Sequence, residues 1–401
     1  MARNIITGID AGSSTIRVIV AEEKKDGGLN ILSASQKPSD GIKKGFVSDI
    51  ENATKSISLA LHSAEKTSGV SIKNSVVAVN GIGLGSIKSK GMVMISRADG
   101  EVTDNDVKRV VEQSEANLPN ISNRRIIHSI PLYFKIDNNL VWGRPAGMTG
   151  SKLETETLFI TCLNQHISNL IKCVEGAGVV VDDIIASPLA MANALLTKNQ
   201  KEVGCVLVNI GSTTVSVIVF EEGLPISLEV FLIGSNYITS DIALGFQIPL
   251  EEAEKMKINY GTENPPPKRK LEDIIEARMD DIFELIENHL KKIGRQEMLP
   301  GGIILTGGGS SLFSLEDIAK SSLHLPAKIG SYATTINNSS RNITANTNST
   351  KEMIFNDPAW STALGLCLMS TTESSTELSN STISARGIFS NMGRWFKNLM
   401  P

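Results

Sequence analysis

The chain has 401 residues, a formal net charge of -4, 41% apolar and 20% charged residues. This composition excludes a disordered chain, the length exceeds what one hydrophobic core usually serves, and the slight negative charge gives no general attraction to nucleic acid or to an anionic membrane. Two or more subdomains are therefore expected, and any membrane contact must be local.

The N-terminus lacks the pattern of a secretory signal, and no stretch approaches ~18 consecutive apolar residues, so a cytoplasmic chain without a spanning helix is expected. The cysteines (Cys162, Cys173, Cys205, Cys367) and histidines (His62, His128, His166, His289, His324) are scattered. None has the spacing of a metal site, and reduced, packed thiols follow.

The first patterned segment is Ile9-Asp10-Ala11-Gly12-Ser13-Ser14-Thr15-Ile16-Arg17-Val18-Ile19-Val20. An apolar run enters a short Gly-Ser turn and leaves as a β-branched run, which predicts a hairpin. The segment recurs 199 positions later as Val208-Asn209-Ile210-Gly211-Ser212-Thr213-Thr214-Val215-Ser216-Val217-Ile218-Val219, with six of twelve positions identical. Turn chemistry alone accounts for one such tip. Two matched copies at domain-scale separation point further, because small residues let a backbone approach closely and successive N–H groups with hydroxyls cradle phosphate. Two facing tips would clamp a polyphosphate.

Between the copies, Thr103 and Asp104 are placed to cap a helix whose Val107, Val110, Val111 and Leu118 share an apolar face. After the second copy, Pro249 to Tyr260 reads as a helix with Glu254 and Lys257 three apart on one face, able to hold an adenosine or simply to form a solvated ion pair. Three prolines and a basic run (265–270) precede a helix from Leu271 to Ile293, in which Ile275, Met279, Ile282, Ile286 and Ile293 are spaced for burial. Gly302 to Leu312 is a buried strand running into Gly307-Gly308-Gly309 and a helix start, a place for backbone to lie against a flat ligand or its phosphates. Ser331 to Thr350 is rich in Asn, Ser and Thr and predicts a flexible surface loop. A second Ser/Thr-rich stretch, Ser370 to Ser384, reads as a tether. Beyond it, Ile388, Phe389, Met392, Trp395, Phe396 and Leu399 fall on one helical face while Arg386, Arg394 and Lys397 lie elsewhere. Such a basic amphipathic helix suits the headgroup region of a membrane; a terminal helix docked on the body is the alternative.

The order strand then GSS, SPLAMANALL (187–196), strand then GSTT, EEAEKMK (251–257), ILTGGGSSL (304–312) and DPAWSTALGL (357–366) resembles the actin/Hsp70/sugar-kinase superfamily. Within it, GSNYITSDIALGFQIPLEEAEKMKINYG (234–261), LEDIIEARMDDIFELIENHL (271–290) and IPLYFKIDNNLVWGRPAGMTGSKLETETLFIT (130–161) resemble the bacterial cell-division family FtsA. The resemblance covers nearly the whole chain. It implies an α/β, actin-like ATPase fold: two duplicated α/β domains around a nucleotide cleft, with an FtsA-type inserted subdomain. The implied organisation is a first domain at 1–83 and 164–202, the insert at 84–163, and a second domain at 203–355 whose partner-binding part spans about 230–300. A hinge-side helix at 356–369, a linker at 370–384 and a membrane-targeting helix at 385–401 complete it.

The resemblance also implies roles. Gly12, Ser13, Ser14 and Thr15 match the first phosphate loop; Asn209, Gly211, Ser212, Thr213 and Thr214 match the second; Gly234, Glu254, Lys257, Gly308 and Gly309 match the adenosine-facing positions. Asp10 would act on magnesium through its water shell. Ala192 and Gly365 would let two connecting helices cross closely, and Arg278 with its exposed neighbours would receive the C-terminal peptide of FtsZ, although a merely solvated helix face reads the same way. ATP, magnesium, FtsZ, self-assembly into filaments and the cytoplasmic face of the inner membrane at the division site follow as expectations.

Three departures from the family matter. Asn209 and Ser216 stand where aspartates are usual, Thr15 stands where lysine is common, and Ser212 and Thr213 replace two glycines of the second loop, which narrows the room for close backbone approach. An amide neither takes a proton from water nor supplies the charge that organises magnesium, so slow or absent hydrolysis is expected of the catalytic pair Asp10 and Asn209. Other readings are a sugar or small-acid kinase of the same superfamily, which needs a carboxylate base, and a pilus-assembly relative, which the basic tail disfavours.

Overall fold

The computed structural model describes residues 4–25, 28–119, 122–260, 268–332 and 343–371. The linker from residue 372 onward and the amphipathic segment with Ile388, Phe389, Met392, Arg394, Trp395, Phe396, Lys397 and Leu399 lie outside the described residues. No described helix is long and apolar enough to cross a membrane.

Each matched segment is an antiparallel hairpin, Ile5–Ala11 with Thr15–Glu23 and Cys205–Ile210 with Val215–Glu221. Each is the nucleus of a sheet. The first sheet runs Val180–Ala186, Asn74–Val79, Ile5–Ala11, Thr15–Glu23, Leu29–Pro38, Ile343–Ala345; the second runs Leu224–Phe231, Val215–Glu221, Cys205–Ile210, Ile303–Thr306, Ala327–Ile329. In both, the first hairpin strand also pairs in parallel with a later strand, Asn74–Val79 in one half and Ile303–Thr306 in the other. These strands are apolar without alternation because both sheet faces are covered: Val18, Ile19 and Val20 are fully buried, as are Val217, Ile218 and Val219.

Two helices join the halves. Ser187–Leu195 and Ser361–Met369 are buried over almost their whole length, since they have neighbours on every side and little polar character. They cross backbone to backbone at Gly365, where a Cβ would stand 1.9 Å from the Ala190 carbonyl oxygen. The close approach expected of Gly365 is present, but the backbone it meets is that of Ala190, one helical face away from Ala192. Gly8 gives the same freedom beneath, its missing Cβ leaving room for the Ala363 carbonyl oxygen.

Between Asn74–Val79 and Asn164–Gly176 the chain builds a separate four-stranded sheet, ordered Gly85–Met94, Lys152–Leu163, Arg124–Ile136, Asn139–Val141. Helix Asp104–Ala116 lies on it, started by a capping box in which the Thr103 hydroxyl and the Asp106 carboxylate satisfy each other's backbone N–H. Val110 and Val111 are buried against Phe134, Ile136 and Leu153, with Val107 at the margin. Leu118 lies beyond the end of the helix rather than on its apolar face. The Ser86 hydroxyl fastens this sheet to the second half, donating to Leu228 O at 2.9 Å and accepting from Leu228 N at 2.8 Å.

The segment Ser331–Thr350 departs from the expected flexible loop wherever it is described. Ile343–Ala345 joins the edge of the first sheet in parallel with Leu29–Ile31, Tyr332 is buried, and helix Asn348–Phe355 follows with Thr347 as its cap. The polar residues around it disguised a short edge strand whose own Ile343 and Ala345 pack, half-buried, against the core.

Candidate functional site

The two hairpin tips have one local chemistry. Gly12 N donates to Thr15 O at 3.1 Å and Gly211 N to Thr214 O at 2.9 Å, and in each case a Cβ on the glycine would collide with that same carbonyl. Sequence identity at Gly12/Gly211, Ser13/Ser212 and Thr15/Thr214 thus becomes identity of turn geometry.

The tips open on one cleft of about 360 Å³ between the halves. Of the residues proposed from sequence, Asp10, Gly12, Ser13, Ser14, Thr15, Asn209, Gly211, Ser212, Thr213, Thr214, Glu254, Lys257, Gly308 and Gly309 all line it. Gly234 does not. Its Cα packs on the second tip, where a Cβ would lie 2.7 Å from the Gly211 and Ser212 carbonyl oxygens, so it lets the following helix, Ser235–Phe246, press against the tip.

The glycine triplet forms the far wall. Strand Ile303–Thr306 pairs with Cys205–Ile210, and Gly307 turns at φ +89°, in contact with the Asn209 side-chain oxygen, before a short 3₁₀ turn at Gly308–Ser311. A Cβ on Gly307 or Gly309 would strike the second hairpin, whereas one on Gly308 would meet nothing within 4 Å. Gly308 is the glycine whose open side is the cleft.

Glu254 and Lys257 lie one turn apart on helix Leu250–Ile258, with Lys257 Nζ 2.7 Å from Glu254 Oε2. This is not the solvated pair that spacing alone allows. Lys257 is only 8% exposed, and its ammonium also donates to Thr239 Oγ1 at 2.8 Å and to Ser235 O at 3.2 Å. The pair therefore stitches helix Leu250–Ile258 to helix Ser235–Phe246 at the rim of the cleft.

Asp10 is buried, accepts from Asn80 Nδ2 at 3.0 Å, and has Thr362 as a further hydrogen-bond partner. Burial pushes its carboxyl above the usual carboxylate range, against the opposing pull of Arg17 and of the Asn80 and Thr362 hydrogen bonds. The corresponding Asn209 donates weakly to Ser216 Oγ at 3.4 Å. Sequence reasoning missed Asn80, Arg17, Gly45, Ser187 and Thr362, which also line the cleft. Asn80 ends the apolar strand Asn74–Val79 as an Asn-Gly pair, and its backbone oxygen meets His166 Nε2 at 2.9 Å. Gly45 N donates to Ser13 Oγ at 2.8 Å, holding the first tip from behind.

Arg278 sits on helix Lys268–Lys292, away from the cleft. Its guanidinium makes a fork to Asp241, Nε to Oδ2 at 2.6 Å and Nη2 to Oδ1 at 3.0 Å, and a third bond from Nη1 to Asp281 at 2.9 Å. Its fork is thus taken up by carboxylates of the same subdomain.

The family model described as "Cell division protein FtsA" matches residues 206–365, and that of the "SHS2 domain inserted in FTSA" matches residues 81–161. The cell-division protein FtsA of Pseudomonas aeruginosa is 32% identical over 348 residues, covering 81% of this chain and 82% of that protein. That of Escherichia coli K12 is 30% identical over 392 residues, covering 91% and 90%. The chain belongs to the FtsA family of cell-division proteins. Solved structures agree at the level of the fold. The PilM–PilN type IV pilus biogenesis complex covers 92% of this chain and 98% of its own at a TM-score of 0.67 with 16% identity. MreB5 of Spiroplasma citri bound to ADP covers 92% and 96% at 0.53 with 11% identity. The fold of this FtsA-family chain is thus the actin-like one, with the inserted domain that marks the family.

Proposed function

We propose that the chain binds ATP with magnesium in this cleft, assembles with copies of itself, and holds FtsZ at the cytoplasmic face of the inner membrane at the division site, reaching lipid through residues 385–401. The observation that carries the nucleotide part is the convergence of two sequence-matched tips and Gly307–Gly309 on one cleft. The donor set fits such a ligand. Thr213 Oγ1 and Asn80 Oδ1 are buried without a partner, Gly308 leaves open space beside the tips where a side chain would stand, and the apolar Ile258, Leu312 and Ala359 offer a surface for a flat base. Magnesium bound with phosphates needs only one or two carboxylates and keeps much of its water, which suits the single carboxylate Asp10 beside the tips.

When bound, ATP brings the phosphoanhydride whose cleavage and release would time assembly. The tips and Gly308 hold and orient the phosphates, Lys257 and Glu254 fix the wall beside the adenosine, and Asn80 holds Asp10 in one orientation. Asn209 offers an amide where a carboxylate would take up a proton, so turnover is slow or absent. FtsZ would dock on the face made by helices Ser235–Phe246 and Lys268–Lys292; Arg278, already bound by Asp241 and Asp281, braces that face. The test is sedimentation of FtsZ with anionic vesicles and ATP. The whole chain should carry FtsZ into the pellet and a chain ending at Ser384 should not. Equal pelleting with both, or with neither, would overturn the tether.

A further inference from the structure

The two halves meet at a place other than the connecting helices. Strand Leu224–Phe231 is the outer strand of the second sheet and has Val215–Glu221 as its neighbour there. An outer strand turns some backbone N–H and C=O groups away from its neighbour, and once covered these need partners. At Leu228, which is fully buried, one side chain of the inserted subdomain satisfies both. Ser86 Oγ donates to Leu228 O at 2.9 Å and accepts from Leu228 N at 2.8 Å, an exchange that the single proton and the lone pairs of a hydroxyl allow. Each end of this contact lies a few residues from the cleft. Ser86 follows shortly after Asn80, which lines the cleft, and Leu228 shortly precedes Phe231, which pairs with Val215 beside the second tip. The inserted subdomain itself belongs to the first half. His166 Nε2 meets Asn80 O at 2.9 Å, joining the two stretches of chain between which the insert is built. From the insert's sheet, His128 Nε2 accepts from Ala186 N at 3.1 Å, where the first sheet passes into the connecting helix Ser187–Leu195. A cleft between two joined bodies opens by rotation about the segments that join them, here the helices that cross at Gly365. A contact carried by the first half and closed on the second lies outside those segments, so the rotation strains it.

We propose that Ser86 is a latch between the halves, and that its release from Leu228 sets the rate at which nucleotide leaves the cleft. The proposal rests on the nucleotide reading above. It gives the inserted subdomain a task at the cleft, since anything that draws the insert away from strand Leu224–Phe231 frees the halves to part and speeds exchange. The competing role is static: a hydroxyl that covers an outer strand and stabilises the fold whatever the cleft does.

Nucleotide release separates the two. A fluorescent ATP analogue, bound with magnesium and chased with unlabelled ATP, is followed by stopped flow on the parent, Ser86→Ala, Ser86→Cys and Ser114→Ala. Ser114 is the control, because its hydroxyl meets Val111 O at 2.7 Å and Thr157 Oγ1 at 3.0 Å, wholly within the insert. Ser86→Ala should release the analogue about tenfold faster, the scale of one or two hydrogen bonds present only while the halves are closed. Ser86→Cys, nearly the same shape but a weaker hydrogen-bonding group, should fall between it and the parent. Ser114→Ala should release at the parent's rate. Release from Ser86→Ala at the parent's rate, whatever its melting temperature, would overturn the latch, and so would equal acceleration in Ser114→Ala. Both results leave the nucleotide site intact. A parent that binds no unlabelled ATP by calorimetry would overturn the nucleotide reading itself, and this proposal with it.

Discussion

Replacing Gly365 with alanine tests the crossing on which both halves turn. The added methyl carbon would lie 1.9 Å from the Ala190 carbonyl oxygen and 2.4 Å from its carbon, whereas ordinary contact begins near 3.4 Å, so the two connecting helices must part by about 1.5 Å. The obstacle is backbone on a helix buried along its length, and no side-chain rotation relieves it. Overpacking of this kind costs about 1–3 kcal/mol, which lowers the melting temperature by roughly 2–10 °C in a chain of this class. Parting the helices also shifts one hairpin tip relative to the other, so ATP affinity should fall. Gly308→Ala is the control, the same chemical change at a position where the methyl meets nothing within 4 Å. Its melting temperature should match the parent and only its ATP affinity should fall. Scanning fluorimetry without ligand and calorimetry with ATP read both properties. The reasoning is refuted if Gly365→Ala melts with the parent, or if Gly308→Ala melts as early as Gly365→Ala.

Two further substitutions probe the second half. Lys257→Met removes the charged donor shared by Thr239 Oγ1 and Ser235 O, although the Thr239 hydroxyl keeps Glu254 and Ser235 O as partners and Glu254 can rehydrate, so urea titration should show a loss of about 1–3 kcal/mol; no loss would mean the pair is solvated after all. His289, beside Ser227 at 2.9 Å, is held neutral by burial and by Lys292, with a pKa lowered to about 4 from the ordinary 6.5. The unfolded chain therefore binds that proton more readily, and stability contributed by neutral His289 is full above about pH 6.5 and lost as pH falls toward 4. His289→Gln, which keeps a hydrogen-bonding group and takes no proton, should flatten the unfolding free energy between these pH values; an unchanged slope would assign it to other groups.

Local chemistry explains what could be read in the sequence. The hairpin tips were legible because a Gly-Ser/Thr turn between β-branched runs has few other solutions, and because the chain states it twice. The triplet Gly307-Gly308-Gly309 was legible as a place of close approach, but not that a side chain has room only at Gly308, while one on either neighbour would strike Asn209 or Ile210. That distinction depends on which strand pairs with Ile303–Thr306. Arg17 and Asn80 were missed because an arginine within a strand and an asparagine at its end carry no motif; only the register with Asp10 and the parallel pairing of Asn74–Val79 bring them to it. Gly234 was placed against adenosine by its motif, and in the fold it serves the tip instead. Glu254 and Lys257 read at helical spacing either as a pair holding an adenosine or as a solvated one, since burial of Lys257 is decided by helix Ser235–Phe246, which the spacing does not encode. Ile343–Ala345 was hidden among polar neighbours, its place decided by the sheet edge it completes.

The most direct measurement is equilibrium binding of magnesium ATP to the parent chain and to Gly308→Asp. A Cβ at position 308 meets nothing within 4 Å, so the substitution should leave the fold intact, but it puts bulk and negative charge into the cleft. The parent should bind one ATP per chain and the variant none, with both melting at the same temperature without ligand. Equal affinity in the two proteins would contradict the account, because the nucleotide would then lie somewhere other than between the duplicated tips.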